Sequence, residues 1–198
     1  ITDRFVPILQ AVPEQVMDEY PMLAFGLGLG MMANPLLRTE APRLFRIASG
    51  STSFPAYVEP SIDAFSHASM RSVSQRLAGD WRGSHDSCLE ALRLADEIGP
   101  EALARYGEHV GTVLRQLSFS VWQSGDIEKA LATANRSVVL CNPVSRNYSV
   151  VYSAAMSAFA GDTLTARVTL STVDDGVWPL ETRRTSMYGL ALLAEIYL

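Results

Sequence analysis

The chain has 198 residues, of which 48% are hydrophobic and 19% charged, and its formal net charge is −5 at pH 7. This composition is typical of a folded globular protein and excludes an intrinsically disordered chain. The negative charge argues against direct nucleic-acid binding, because phosphate binding needs a concentrated excess of basic side chains. No apolar run approaches the roughly 20 residues of a membrane span, and no secretory signal is visible. We therefore expect a cytoplasmic protein with no membrane or nucleic-acid partner.

Apolar residues recur with helical spacing along the chain, and no segment shows the alternation of a half-buried strand. Prolines precede many of these runs, as expected in a first helical turn, where a missing N–H has no intrahelical partner. Asn34 and Asn142 are predicted N-caps. The pattern predicts two short helices within 1–20, separated at Pro13, and further helices at 21–33, 35–48, 60–78, 82–98, 100–123, 126–141, 144–160, 162–173 and 179–198.

The link at 49–59, SGSTSFPAYVE, is the one long irregular stretch and the best candidate for a boundary. We nevertheless expect a single helical-repeat domain over 1–198. The chain begins at Ile1 without an initiator Met and ends inside the helical pattern LALLAEIYL. These two features predict a fragment of a longer chain.

An internal repeat is the strongest pattern in the sequence. A turn with Gly followed by Asp recurs at 78–80, 124–126 and 160–162, and a small residue follows each Gly after five positions. Gly permits the left-handed backbone that ends one helix, and Asp can cap the next. The small residues are Ser84, Ala130 and Ala166, and the positions nine after each Gly are Cys88, Ala134 and Leu170. The pattern predicts stacked helical hairpins, of which 114–143 is the clearest.

These hairpins resemble the tetratricopeptide repeat. Residues 111–144 match its pattern best, with Leu114, Leu117, Ser118 and Val121 at the large, large, small and aromatic positions of the first helix, Ala130, Ala134 and Ser137 on the second helix, and Pro143 after it. Leu114 and Val121 replace the usual Trp and aromatic residue, and one repeat interval is long. The resemblance implies an all-α fold, a right-handed α-α superhelix of stacked antiparallel helix hairpins.

The N-terminal part resembles the start of the helical-repeat region of large LuxR-type transcriptional regulators, the group that includes the maltose activator. Phe5, Val12-Pro13 and the Pro21-x-Leu23 pattern match a segment that leads into the first repeat there. The sequences GDW at 79–81 and ALRLADEIG at 91–99 are also similar to repeats of those regulators. The resemblance implies a module flanked by an ATPase and a helix-turn-helix domain, although this chain has no GxxxxGK[ST] phosphate loop and no terminal basic module.

Patterns that would indicate chemistry are weak. The glycines at 26, 28 and 30 lack dinucleotide-loop spacing and favour close helix packing instead. His67, His85 and His109 lie on different predicted helices, without metal-ligand spacing. Cys88 and Cys141 lack a CxxC pattern and are expected to be buried thiols. The acidic pairs at 96–97 and 174–175 favour solvated helix ends over an acid–base pair. We therefore expect no cofactor, no metal and no enzymatic activity.

The predicted first helix of each hairpin would line a concave face that binds a peptide helix or a small ligand. The candidate binding residues on it are Arg71, Gln75, Arg105, His109, Arg115, Gln116, Tyr148, Tyr152 and Met156. A packing role for the aromatic residues and a solvating role for the arginines is the alternative at each position. The family resemblance implies a sensor or interaction module of a bacterial signalling or transcriptional regulator, with a small effector or a protein as partner. A scaffold for peptide binding or self-association is a second hypothesis, and a small all-α enzyme is a third.

Overall fold

The structure of the protein, a computed structural model, describes residues 11–50 and 59–173. Over these residues the chain folds into helices and contains no strand, which confirms the predicted all-α class. None of the described helices is both long enough and apolar enough to cross a bilayer. The helices are α1 (Glu14–Glu19), α2 (Pro21–Ala33), α3 (Ala41–Gly50), α4 (Ile62–Ala78), α5 (Trp81–Ile98), α6 (Pro100–Ala104), α7 (Gly107–Gln123), α8 (Ile127–Leu140), α9 (Pro143–Phe159) and α10 (Thr163–Leu170).

The chain divides into two compact units, Ile1–Glu97 and Ile98–Leu198. Helices α1 to α5 belong to the first unit, apart from the last residue of α5, and α6 to α10 belong to the second. Residues 51–58 of the predicted link are outside the described residues, as are the predicted helices before residue 11 and after residue 173. The expectation of one continuous domain over 1–198 stays a prediction.

In the first unit, α2 packs on α3, and α1 contacts both. Their shared core contains Met17 from α1, Leu27 from α2 and Leu44 from α3, all buried. The Phe25 and Phe45 rings meet edge to face, with centroids 6.1 Å apart. Aromatic pairs of this geometry add to the stability from burial alone. The first unit is thus stabilised by an apolar core to which α1, α2 and α3 all contribute, and α2 contacts both of the other helices.

The predicted glycine turns are present at all three repeats. Gly79, Gly125 and Gly161 have φ angles of 90°, 92° and 84°, in the left-handed region. A side chain with a Cβ rarely adopts this conformation, so Gly is needed to end α4, α7 and α9 at these points. The turns therefore follow from local residue chemistry.

The predicted aspartate caps are present as well. Each Asp accepts a hydrogen bond from a backbone N–H three residues further on, at the start of α5, α8 or α10. The pairs are Gly83 to Asp80 (2.9 Å), Lys129 to Asp126 (3.0 Å) and Thr165 to Asp162 (3.0 Å). Such caps satisfy N–H groups that have no intrahelical acceptor.

Small residues after each turn are buried, as the repeat predicts. Ser84, Ala130 and Ala166 are all inaccessible or nearly so, and Cys88 and Ala134 are completely buried one turn later. At the third repeat the corresponding residue, Leu170, is only partly buried. In the second unit, α8 packs on α7 and α9, α10 packs on α9, and α7 also contacts α9 directly. Short side chains at these positions let successive helices approach closely.

Two predicted helices have different bounds in the structure. The helix predicted at 35–48 begins only at Ala41, because the chain turns between Asn34 and Glu40. Asn34 does cap a backbone group, but it accepts from Leu36 N at 3.0 Å inside this turn. The helix predicted at 100–123 is divided into α6 and α7 at 105–106. Gly107, whose φ is +33°, begins the second piece, and Gly is among the weakest helix formers.

Prolines begin three helices as expected: Pro21, Pro100 and Pro143 each occupy a first helical position. Pro60 does not, because Ser61 is the N-cap of α4 and its hydroxyl accepts from Ala64 N at 3.2 Å. Asn142 caps α9 as predicted, accepting from Ser145 N at 2.8 Å. The caps, more than the prolines, mark where the helices start.

Candidate functional site

The predicted binding residues fall into both units. Arg71 and Gln75 lie on α4 in the first unit, whereas the other seven lie in the second. Of those seven, Arg105 and His109 are exposed and Gln116 is half-buried. Met156 is completely buried and Tyr152 only 8% exposed, so both belong to the packed interior. The structure brings two of the predicted residues into direct contact in the second unit, Arg115 and Tyr148.

Arg115 and Tyr148 form a pair between α7 and α9. The guanidinium carbon of Arg115 lies 5.3 Å from the centre of the Tyr148 ring, within the range of a cation–π interaction. Arg115 Nη1 also donates to the backbone carbonyl of Ser145 at 3.3 Å. These contacts orient the guanidinium along α9, but they use only one of its five N–H donors in a hydrogen bond.

Arg115 is half-buried and has no carboxylate partner among the described residues. Burial lowers the pKa of Arg115, and the nearby Cys141, Tyr152 and Tyr148 oppose that shift. The side chain still carries its charge at neutral pH, because an Arg guanidinium is not deprotonated in proteins. A desolvated cation without a counter-ion is costly, and it favours the binding of an anion.

A row of aromatic side chains extends from this pair along the same two helices. The Phe119 ring packs against Trp122 and Tyr152, with centroid distances of 5.3 Å and 5.9 Å. The Trp122 ring stacks on Phe159, with centroids 5.1 Å apart. Phe119, Trp122 and Phe159 are not among the binding candidates predicted from the sequence. Phe119 and Trp122 are three positions apart on α7, and Tyr152 and Phe159 are seven apart on α9, so helical spacing alone places each pair on one face of its helix. The row supplies flat apolar surface beside a cation.

Glu108 fixes the start of α9 against α7. One carboxylate oxygen accepts from the Ser145 hydroxyl at 2.7 Å, and the other accepts from the Asn142 side-chain amide. Charge-assisted hydrogen bonds of this kind are stronger than neutral ones. Because Ser145 also provides the carbonyl that receives Arg115, Glu108 acts as a positioning residue for the pair. No local pattern indicates this role, because both partners of Glu108 are more than thirty positions away in the sequence.

In the first unit, the side chain of Gln75 on α4 forms hydrogen bonds with α5. Oriented to satisfy its neighbours, its side-chain nitrogen donates to the Gly83 carbonyl at 2.8 Å and the Ser87 hydroxyl at 2.7 Å. Ser72 donates to the Ser84 carbonyl at 2.9 Å in the same interface. The contacts of Gln75 therefore join two helices, and a binding role for Arg71 and Gln75 stays a prediction.

The remaining chemistry-bearing residues are dispersed. Over the described ranges, no three His, Cys, Asp or Glu side chains converge as metal ligands would. Neither Cys88 nor Cys141 forms a disulfide; Cys88 is buried and Cys141 half-buried, with its sulfur 3.3 Å from the Ser149 hydroxyl. Burial lowers the pKa of His67 below its usual value, so this imidazole is mainly neutral at pH 7. The acidic pair predicted at 174–175 lies outside the described residues.

No protein-family model matches this chain, and the searches of curated proteins and of solved structures return no significant match either.

Proposed function

We propose that the chain is a non-catalytic sensor or interaction module of a bacterial signalling or transcriptional regulator, located in the cytoplasm. In this proposal its hairpins stack as a right-handed, tetratricopeptide-like superhelix. The shared Gly-Asp turns and the buried small residues after them support the stacking, because each hairpin leaves an apolar face for the next. The assignment to a LuxR-type regulator depends on sequence motifs alone, those of residues 5–23, 79–81 and 91–99.

The observation that carries a binding function is the Arg115 guanidinium, half-buried beside an aromatic row and without a carboxylate partner in the described part of the chain. A ligand with a carboxylate or phosphate would supply the missing counter-charge and replace lost hydration. An apolar or aromatic portion would lie along Phe119 and Trp122. The proposed effector or peptide is therefore anionic at one end and apolar at the other.

The test is a thermal-shift and calorimetric screen of the full chain. Carboxylates and phosphate esters are compared with neutral sugars of similar size. We expect Arg115→Gln to weaken binding of the best anion by about tenfold or more, the effect of losing a hydrogen-bonded charge. Arg146→Gln is the matched control: it removes an exposed arginine two residues before Tyr148, and so on the opposite side of α9. Equal losses in both variants, or equal binding of neutral sugars, would contradict the proposal.

Self-association is a second candidate, favoured by α10. Leu164 is 73% exposed and Val168 is 58% exposed, one helical turn apart. Such a pair on one helix face is suited to another apolar helix. Light scattering over a range of protein concentrations tests this directly. A mass that rises with concentration and returns to the monomer value in Leu164→Glu supports assembly, whereas a constant monomer mass excludes it.

A further inference from the structure

A cavity of about 350 Å³ lies in the first unit, between α1, α2 and α3. This volume is at the lower end of the range for small-molecule sites. With about 30 Å³ for each group the size of a water molecule, it accommodates about ten non-hydrogen atoms. None of the residues singled out from the sequence as binding candidates lines it.

The floor of the cavity is apolar. Met17, Leu27, Met31 and Leu44 form it, and each is buried in the core that α1, α2 and α3 share. Methionine side chains adjust to irregular shapes, because they are unbranched and flexible. The floor therefore suits an alkyl or aryl group better than a sugar, whose hydroxyls would lose hydrogen bonds to water there.

The rim of the cavity is charged and has an excess of carboxylates. Glu14 and Arg43 form an ion pair across it, with Oε2 and Nη1 2.5 Å apart. Glu40 also lines the cavity, and its carboxylate forms no ion pair or side-chain hydrogen bond in the part of the chain described. The three charges sum to −1.

We propose that this cavity binds an organic ammonium ion of up to about ten non-hydrogen atoms, most of them in an apolar body. The apolar body lies on the methionine and leucine floor, and the ammonium group pairs with Glu40 at the rim. Charge complementarity selects the cation over an acid of the same shape, because a carboxylate ligand would meet two carboxylates and only one arginine, which is already paired. Alkylamines have a pKa near that of lysine and are protonated at neutral pH.

This site is independent of the one at Arg115, which lies in the other unit and takes the opposite charge. Arg115→Gln is therefore expected to leave amine binding unchanged, and Glu40→Gln to leave anion binding unchanged. The two proposals can fail separately.

The experiment is isothermal titration of the full chain with hexylamine, hexan-1-ol and hexanoate. We expect hexylamine to bind most tightly and hexanoate least, and each methylene added from butylamine to hexylamine to raise affinity about fourfold. Glu40→Gln should weaken hexylamine binding by about fivefold, as expected for one ion pair with an exposed carboxylate, without changing hexanol binding.

Glu19→Gln is the matched control, since Glu19 is exposed at the end of α1 and does not line the cavity. It removes the same charge and should leave all three affinities unchanged. The proposal is overturned if hexylamine does not bind at millimolar concentration, if hexanol or hexanoate binds as tightly, or if Glu40→Gln and Glu19→Gln behave alike. Melting curves of both variants check that each is folded.

Discussion

Helix α2 is entirely apolar and α9 mixes apolar residues with serines, yet α9 is the more deeply buried. Helix α2, PMLAFGLGLGMMA, has no polar side chain, but Met22 is 52% exposed and Leu29 is 44% exposed. Helix α9 has serines at every fourth position, and every residue from 149 to 158 is buried. Hydrophobicity alone therefore does not identify the central helix. Side-chain size and local hydrogen bonding decide how closely a helix can be surrounded.

The serines of α9 show how polar residues enter a core. The Ser149 hydroxyl meets the Cys141 sulfur, and the Ser153 hydroxyl bonds to the Asn135 side chain of α8 at 2.5 Å. Both contacts are with α8 or the residue that follows it, so Ser149 and Ser153 mark the side of α9 on which α8 packs. A buried hydroxyl with a partner costs little, and its small volume allows the close approach.

The largest expected effect is from overfilling α9. Ala155 is completely buried against Ala158 and Ala166, so Ala155→Leu should lower the free energy of unfolding by about 3 kcal/mol. On α2, Met22→Ala at an exposed position should change it by less than about 0.5 kcal/mol. Urea denaturation of both variants measures the difference. Similar losses in the two helices would mean that the contrast in burial does not control stability.

Two glycines of α2 lie on its packed and its open side, and substitutions at them test the packing of α2 on α3. A Cβ at Gly28 would come within 2.8 Å of the Phe45 ring, whereas a Cβ at Gly26 would meet nothing within 4 Å. Gly28→Ala should therefore destabilise the chain by about 1 kcal/mol, because the buried ring must shift. Gly26→Ala should stabilise it by about 0.8 kcal/mol through helix propensity. Thermal and urea unfolding report both signs, and a gain in both variants would contradict the packing of α2 on α3.

Two serines of α9 make a matched pair of smaller effects. Ser153→Ala removes a bonded hydroxyl and leaves Asn135 to water, so we expect a loss of about 1 kcal/mol. In the described part of the chain, the buried Ser157 hydroxyl has no hydrogen-bond partner. Ser157→Ala should therefore be neutral or stabilising by about 0.5 kcal/mol. The order of the two denaturation midpoints is the measurement, and a reversed order would contradict the hydrogen-bond assignment.

The segments that follow the two helices differ in their response to pH. After α9, hydrogen bonds from the Thr165 hydroxyl, and then from its backbone N–H, lower the pKa of Asp162 below its ordinary value of 3.8. A lowered folded-state pKa means that the stabilisation is complete above the unfolded pKa and is lost as the pH falls through the folded one. Asn caps helices about as well without titrating.

We therefore expect any advantage of the native chain over Asp162→Asn to shrink between about pH 5 and about pH 2. Melting temperatures of both proteins across this range provide the test. After α2, the corresponding residue is Asn34, so Asn34→Ala should change stability by an amount that does not depend on pH. A difference between the native chain and Asp162→Asn that stays constant with pH would contradict the assignment.

The features predicted from the sequence are those that local chemistry determines. The bounds of α2, the Gly125-Asp126 turn and the Asn142 cap follow from residues within four positions of one another. The late start of α3 and the break before Gly107 were missed, because turn geometry outweighed apolar spacing there. The sequence predicts that Arg115 and Tyr148 lie on the same concave face, but it does not predict that they contact each other.

The features that sequence did not reveal depend on distant residues. Glu108 reaches Ser145 only because α7 and α9 pack together. The cavity rim combines Glu14 with Arg43, which are 29 positions apart and carry no shared motif. Periodicity assigns each residue to a face of its own helix, but it does not say which faces meet.

The matching turns at Gly125 and Gly161 also bear on how a chain of this kind can change its length. The two glycines are 36 residues apart, and each is followed by an Asp that caps the next helix. Deleting residues 126–161 would join Gly125 to Asp162 and so restore the same turn, with Ala166 in the place of Ala130. A duplication of the same segment would insert one more hairpin with its junctions already formed. Gain or loss of 36 residues therefore needs no new turn, and evolution or design could use this segment as a ready-made cassette.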